Sequence, residues 1–142
     1  IMDMGCYASS IADIFCSKKI ITKKIVIKKN KLGLDVSFNF IFDFSSQIYS
    51  GQFKYGGEYE NNLTIYTDKK IIKLNRVFSP PPDKNLEILV KENNYSKIHI
   101  IKQDNTFENY FTEITKLISN KKYNFYFEKM IKINKFIDLL KT

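Results

Sequence analysis

A nine-residue stretch of alternating side chains, residues 36–44, constrains the fold of this chain more than any other feature. Its apolar members share one face of an extended strand: Val36, Phe38, Phe40, Phe42 and Phe44. Because successive side chains of a strand point to opposite faces of the sheet, the pattern predicts one face on a hydrophobic core and a wetter opposite face. An aromatic row can also stack the bases of single-stranded nucleic acid. Five apolar positions on one face are nevertheless far more typical of a core.

Other periodic stretches predict the rest of the secondary structure. Further strands are predicted at residues 23–29, 48–55, 63–67, 71–74, 86–90 and 97–101. Helical spacing predicts three helices: one from about residue 5 to residue 15, one that starts at Asn105 with Glu108 three positions later, and one from about residue 125 to residue 140. Successive strands with short turns, bracketed by helices, predict an α+β fold. We expect an open, mainly antiparallel sheet with helices packed on one face, and a single domain over residues 1–142.

The net charge of +8 suggests a nucleic-acid-binding function, but the type of basic residue argues against it. Arg76 is the only arginine, although arginine is the preferred reader of bases and phosphates. The lysines are scattered in pairs instead of gathered on one stripe. We therefore interpret them as a solvated surface and predict no nucleic-acid partner.

The hydrophobic segments and the cysteines indicate in which cellular compartment the protein is expected. No apolar run approaches the ~20 residues that cross a bilayer, and no secretory signal is recognisable, so we predict no membrane partner. Cys6 and Cys16 have neither a metal-ligand spacing nor the pattern of a disulfide framework. Reduced thiols in the cytoplasm and the absence of a metal site are the expectations that follow.

The start of the chain carries the first candidate site. Asp3 and Tyr7 stand four residues apart, so a helix that begins near Met4 places them on one face of its first turn. A phenol is a plausible general acid or base once neighbouring positive charge lowers its pKa. From spacing alone, Asp3 is equally a helix cap and Tyr7 is more often an ordinary aromatic residue of a helix face.

The middle of the chain carries candidate substrate contacts. Tyr55 and Tyr59 flank two glycines, and their rings suit stacking on a sugar, although the tip of a hairpin explains them as well. Arg76 precedes the segment "VFSPPPD", in which consecutive prolines exclude regular structure. Its guanidinium is suited to a phosphate or carboxylate of a substrate, or alternatively anchors the proline loop.

Four segments of the sequence resemble the C-terminal domain of the Gfo/Idh/MocA oxidoreductases, the family of glucose–fructose oxidoreductase and inositol dehydrogenase. "MDMGCYASSIADIF" resembles the segment that opens that domain, and "LTIYTDKKIIKLNRVFSPP" resembles its strand pair and proline-rich crossing. "NTFENYFTEITKLI" and "FEKMIKINKFIDLL" are similar to its last two helices. The combination of "GCY" with "RVFSPPPD" is similar to the tyrosine-containing branch of nucleotide-sugar ketoreductases and dihydrodiol dehydrogenases. A polar turn, "DKK", replaces the usual glycine-bearing turn of the family.

This resemblance implies a function. Tyr7 would exchange a proton with the carbonyl or alcohol oxygen of a sugar or nucleotide-sugar, and Asp3 would orient the site or contact a sugar hydroxyl. NAD or NADP would bind to an N-terminal Rossmann domain, to which no part of these 142 residues corresponds. The fragment alone is therefore expected to hold no cofactor and to be inactive. The resemblance also implies homo-oligomers formed through the sheet.

An alternative from a different functional class stays open at this point. The same fold can serve as a stand-alone interaction module without catalysis. A Rossmann domain supplied to the chain would restore dinucleotide binding under the enzyme hypothesis and change nothing under the alternative.

Overall fold

A computed structural model describes residues 2–16, 19–121 and 123–141 of the chain. Three helices and seven strands follow one another in the order that the periodicities predict. The helices are α1 (Met2–Phe15), α2 (Thr106–Ser119) and α3 (Asn124–Lys141). The strands are β1 (Thr22–Lys29), β2 (Asp35–Asp43), β3 (Ile48–Lys54), β4 (Asn62–Tyr66), β5 (Lys70–Asn75), β6 (Leu86–Glu92) and β7 (Tyr95–Ile101). The α+β class and the antiparallel pairing are confirmed.

The strands form two sheets, of order β1-β2-β3 and β4-β5-β6-β7, and every neighbouring pair is antiparallel. The chain divides accordingly into two compact units. The first unit contains Ile1–Gly57 and Tyr123–Thr142, and the second unit contains Glu58–Lys122. The single-domain organisation over residues 1–142 stays a prediction.

The aromatic face of β2 forms the core of the first unit, as its alternation predicts. Phe38, Phe40 and Phe42 are 0–1% exposed and pack with Ala8 of α1 and Leu140 of α3. The opposite face of β2 is wetter, since Ile41 is 51% exposed. Helices α1 and α3 also pack against each other. This sheet therefore has its two helices on one face.

Residue 51 of β3 must be a glycine because the ring of Phe40 lies directly against its backbone. It lies opposite Phe40 in the β2–β3 register, and the Phe40 ring crosses over it. A Cβ atom built on Gly51 would stand 2.5 Å from that ring, closer than any ordinary contact. Tyr49 meets the same ring edge-on, at 4.9 Å between centroids. The glycine thus lets the aromatic row lie flat on its neighbouring strand.

The second unit has a different character, because none of its described residues, 58–121, is buried. The apolar residues of β4, β5 and β6 are half-buried, and every residue of β7 is exposed. Helix α2 starts at an Asn105 N-cap whose side chain accepts a hydrogen bond from the Glu108 backbone N–H at 3.2 Å, as the sequence predicts. Its apolar residues, Phe107 among them at 75%, are largely exposed.

None of the helices in the described residues combines the length and the apolar character needed to span a bilayer.

Candidate active site

Helix α1 presents Asp3 and Tyr7 at its N-terminal end. The helix starts at Met2, so Asp3 lies in the first turn, where a carboxylate interacts favourably with the positive end of the helix dipole. Both side chains are on the exposed side of the helix, with Tyr7 at 37% exposure. The buried Ala8 and Ser9 occupy the opposite side. Tyr7 is therefore accessible to a small molecule.

Tyr55 meets Asp3 across the first unit. The residue follows β3, and its backbone N–H donates to the Val36 carbonyl at 2.9 Å, which fixes the start of the turn. Its hydroxyl donates to Asp3 Oδ2 at 3.3 Å. The structure thus joins a predicted catalytic residue to a predicted substrate contact 52 positions away. No local sequence signal indicates this pairing, because it depends on how β3 lies relative to α1.

The hydroxyl of Tyr55 stays protonated at neutral pH. Its pKa is raised above the ordinary value by partial desolvation, by the negative charge of Asp3 and by the hydrogen bond to that carboxylate. A phenol with a raised pKa is a poor base and a dependable hydrogen-bond donor. Tyr55 is thus suited to hold Asp3 in place.

A second tyrosine fixes α1 itself. The Tyr49 hydroxyl of β3 donates to the Ala8 carbonyl at 3.0 Å, one residue beyond Tyr7. Burial raises the pKa of Tyr49, so that this hydroxyl too remains a donor. The Cys6 thiol donates to the Asp3 backbone carbonyl at 3.1 Å, within the first turn of α1. Strand β3 therefore positions the helix that carries Asp3 and Tyr7.

Tyr59 and Arg76 come together in the second unit. The Arg76 guanidinium carbon lies 5.3 Å from the centre of the Tyr59 ring, a cation–π distance. Asn61 organises this pair, since its amide donates to the Tyr59 hydroxyl at 2.9 Å and to the Phe78 carbonyl, and accepts from the Phe78 N–H at 3.0 Å. Asn61 was not predicted from the sequence, because no local pattern indicates that its side chain bonds to Tyr59 and Phe78.

The predicted site residues are thus found in two groups. Asp3, Tyr7 and Tyr55 belong to the first unit, and Tyr59 and Arg76 belong to the second. A concavity of about 450 Å³ in the first unit is lined by other residues, including Asp13, Cys16 and Lys132. Another of about 400 Å³ in the second unit has Tyr95, Lys97 and His99 in its wall.

Histidine, cysteine, aspartate and glutamate side chains are the usual protein ligands of metal ions. Residues 2–16, 19–121 and 123–141 contain no group of three or more such side chains placed to hold an ion. Cys6 and Cys16 are both free thiols. His99, which alternates with isoleucines in β7, is exposed.

Comparison with known proteins gives matches in structure alone. The sequence matches no family model and no curated protein. Its structure is similar to KijD10, a 3-ketoreductase from Actinomadura kijaniata, in the open conformation in complex with TDP-benzene and NADP. The TM-score is 0.90 at 16% sequence identity, over 99% of this chain and 45% of that chain. The same ketoreductase in complex with NADP gives a TM-score of 0.86 at 14% identity, over 96% of this chain and 45% of that chain.

The chain thus spans less than half the length of the ketoreductase that it resembles. At 16% identity this similarity establishes the fold alone. The chain has the fold of the C-terminal domain of a ketoreductase.

Proposed function

We propose that this chain is the substrate-binding and self-associating part of an NAD(P)-dependent oxidoreductase that acts on a sugar or nucleotide-sugar. The observation that carries the proposal is the Asp3–Tyr55 hydrogen bond beside the exposed Tyr7, on a fold shared with a ketoreductase. The tyrosine-containing branch of the Gfo/Idh/MocA enzymes is the group to which we assign the sequence.

Tyr7 is the proposed proton donor and acceptor. It would give a proton to a carbonyl oxygen during reduction, or take one from an alcohol during oxidation. Asp3, fixed by Tyr55, would orient the substrate through a sugar hydroxyl. The hydrogen bond from Tyr55 to Asp3 supports the role given to Asp3, because it holds the carboxylate in place.

The cofactor is proposed to bind outside these residues. The 142 residues contain no glycine-rich phosphate loop of the G-x-G-x-x-G type. NAD or NADP supplies the hydride in such a reaction, and we assign to this chain only the proton and the substrate contacts. The isolated chain is accordingly expected to be inactive.

Substrate contacts are proposed for each of the two groups of residues by itself. Tyr55 would contact a sugar from the first unit. Arg76 is suited to a phosphate, since the guanidinium offers several donors in a fixed plane, and Tyr59 supports it through the cation–π contact. The neighbouring ketoreductase was solved with TDP-benzene, a ligand with a diphosphate group, which makes a nucleotide-sugar the preferred substrate class.

Self-association is proposed through the sheet of the second unit. The described residues of that unit include isoleucines and leucines on four strands but no buried side chain. Extended exposed apolar surface of this kind marks interaction sites. The free thiols of Cys6 and Cys16 are consistent with a reducing cytoplasm, where we place the protein.

An interaction module without catalysis is the second candidate function. The observation that favours it is the exposed apolar side of α2, with Phe107, Phe111 and Ile118 each at least 63% exposed. Such a helix is suited to lie in the groove of a partner protein. Under this hypothesis Tyr7 would have no special role.

Measuring turnover of the complete enzyme, with its cofactor domain, distinguishes the oxidoreductase hypothesis from the interaction-module hypothesis. We expect Tyr7→Phe to lower kcat by about 10²- to 10⁴-fold, the usual contribution of general acid–base catalysis. Tyr66→Phe is the matched control, because Tyr66 is 74% exposed on β4 and has no assigned role. Unchanged turnover in Tyr7→Phe would contradict the catalytic assignment.

A further inference from the structure

The hairpin of β4 and β5 brings Asn61 and Arg76 side by side. Asn61 directly precedes β4 and Arg76 directly follows β5, next to the paired residues Asn62 and Asn75 that end the register. The Arg76 backbone N–H donates to the Asn61 carbonyl at 2.5 Å. The antiparallel pairing thus continues to these two residues and places them at the open end of the hairpin.

Arg76 has a left-handed backbone conformation, with a φ of 53°. A residue other than glycine rarely adopts this conformation, and it persists only where the surrounding structure holds it. The Asn61 side chain supplies such support, because it accepts a hydrogen bond from the Phe78 N–H at 3.0 Å and donates one to the Phe78 carbonyl. The backbone of Arg76 is therefore held between its own bond to Asn61 and the bonds of Asn61 to Phe78.

Asn61 also holds the aromatic partner of the Arg76 guanidinium. Its side-chain amide donates to the Tyr59 hydroxyl at 2.9 Å, and the Tyr59 ring lies 5.3 Å from the guanidinium carbon. Both Arg76 and Tyr59 are exposed. Among the residues that the structure describes, no carboxylate forms an ion pair with this guanidinium. Its N–H donors are thus accessible to an anion from solution.

We propose that Asn61 is a positioning residue, which holds Arg76 and Tyr59 in the arrangement in which Arg76 binds a phosphate group of the substrate. This inference rests on the phosphate contact proposed for Arg76 and adds the residue that sets the strength of that contact. A long side chain loses rotamer freedom when it binds, and contacts that restrict it beforehand lower that cost. Asn61 therefore acts on phosphate affinity without touching the ligand.

Titration of the chain with inorganic pyrophosphate tests the proposal, with Kd obtained from the Tyr59 ring signals in NMR spectra. We expect Arg76→Gly, which suits the left-handed backbone, to weaken binding by about 10- to 100-fold, the usual effect of losing hydrogen bonds to a charged group. Asn61→Ala is expected to weaken binding by about 3- to 10-fold. Asn62→Ala is the matched control, because this neighbouring side chain bonds to Glu60 and should leave Kd unchanged.

A double-mutant cycle separates positioning from a general structural role. In the Arg76→Gly background, we expect Asn61→Ala to have no further effect on Kd, because it acts through the guanidinium. The same additional loss in that background would overturn the proposal, as would an equal loss in Asn62→Ala. If circular dichroism shows that Asn61→Ala is unfolded, Tyr59→Phe replaces it, since this change removes the hydroxyl that bonds to Asn61 and keeps the ring. Unchanged pyrophosphate binding in Tyr59→Phe would then overturn the proposal.

The same titrations with TDP-glucose distinguish a substrate phosphate from a free anion. We expect the same order of Kd values, and an effect confined to pyrophosphate would contradict the assignment to the substrate. If Arg76→Gly weakened binding and a folded Asn61→Ala did not, the positioning role alone would fail. If Arg76→Gly had no effect, the phosphate contact of Arg76 would fail with it. None of these outcomes depends on Tyr7 turnover, so they are distinguishable from a failure of the proposed catalysis.

Discussion

In the first unit, four phenylalanines of one strand and its following turn are at most 3% exposed, whereas in the second unit no described residue is buried. Both units contain antiparallel sheets rich in apolar residues, so composition alone does not separate them. The difference is that α1 and α3 cover the aromatic face of β2. The first unit therefore has a core of its own, whereas the described apolar side chains of the second unit stay partly exposed.

The largest expected effect concerns the core of the first unit. We expect Phe42→Ala to lower the free energy of unfolding by about 3–5 kcal/mol, because it leaves a cavity beneath Phe136 of α3. Phe107→Ala, the matched change at an exposed position of α2, is expected to cost less than about 0.5 kcal/mol. Urea denaturation followed by circular dichroism measures both. Equal losses would contradict the contrast between the units.

Gly51 provides a more local test of the same core. We expect Gly51→Ala to destabilise the protein by about 1–3 kcal/mol, the usual cost of overpacking, because its Cβ atom would collide with the Phe40 ring. Ser50→Ala, at the exposed neighbouring position, serves as the control. If Gly51→Ala unfolded at the same urea concentration as the parent protein, the predicted collision between residue 51 and the Phe40 ring would be contradicted.

Hydrogen exchange extends the comparison to the backbone. Amides in β2, which pairs with strands on both sides, are expected to exchange only on global unfolding of their unit. Amides of β7 that point away from β6 have no strand partner among the described residues, so we expect them to exchange quickly. Mass-spectrometric hydrogen exchange measures this difference between β2 and β7. Equally slow exchange of both strands would contradict the contrast between the units.

The smallest effect is on the titration of Tyr55. Asp3→Asn removes the neighbouring negative charge, so we expect the pKa of Tyr55 to fall toward its ordinary value. Asp13→Asn, on the same helix but paired with Lys129, should leave that pKa unchanged. Tyrosine-selective NMR as a function of pH follows the phenol directly. An unchanged Tyr55 pKa in Asp3→Asn would contradict the hydrogen bond between Tyr55 and Asp3.

Periodicity in the sequence was sufficient to predict the elements of the fold. The alternation of residues 36–44 predicts the buried strand, and the capping pattern at Asn105 predicts the start of α2. The division into two sheets was not predicted, because strand spacing carries no information on which strands fail to pair.

The candidate site was predictable only in part. The four-residue spacing of Asp3 and Tyr7 places both on α1, as the sequence indicates. The bond between Tyr55 and Asp3, and the role of Asn61 between Tyr59 and Phe78, depend on tertiary contacts that no local pattern encodes. The catalytic role of Tyr7 stays a prediction.

The sugar site proposed on α1 is tested by titrating this chain with TDP-glucose and following its backbone amides and tyrosine rings by NMR. We expect concentration-dependent shifts at Asp3, Tyr7 and Tyr55, with the Tyr7 ring response lost in Tyr7→Phe and the other two shifts retained. NADP alone should leave these signals unchanged. If TDP-glucose left Asp3, Tyr7 and Tyr55 unshifted at saturating concentration, the proposed sugar site on α1 would be contradicted.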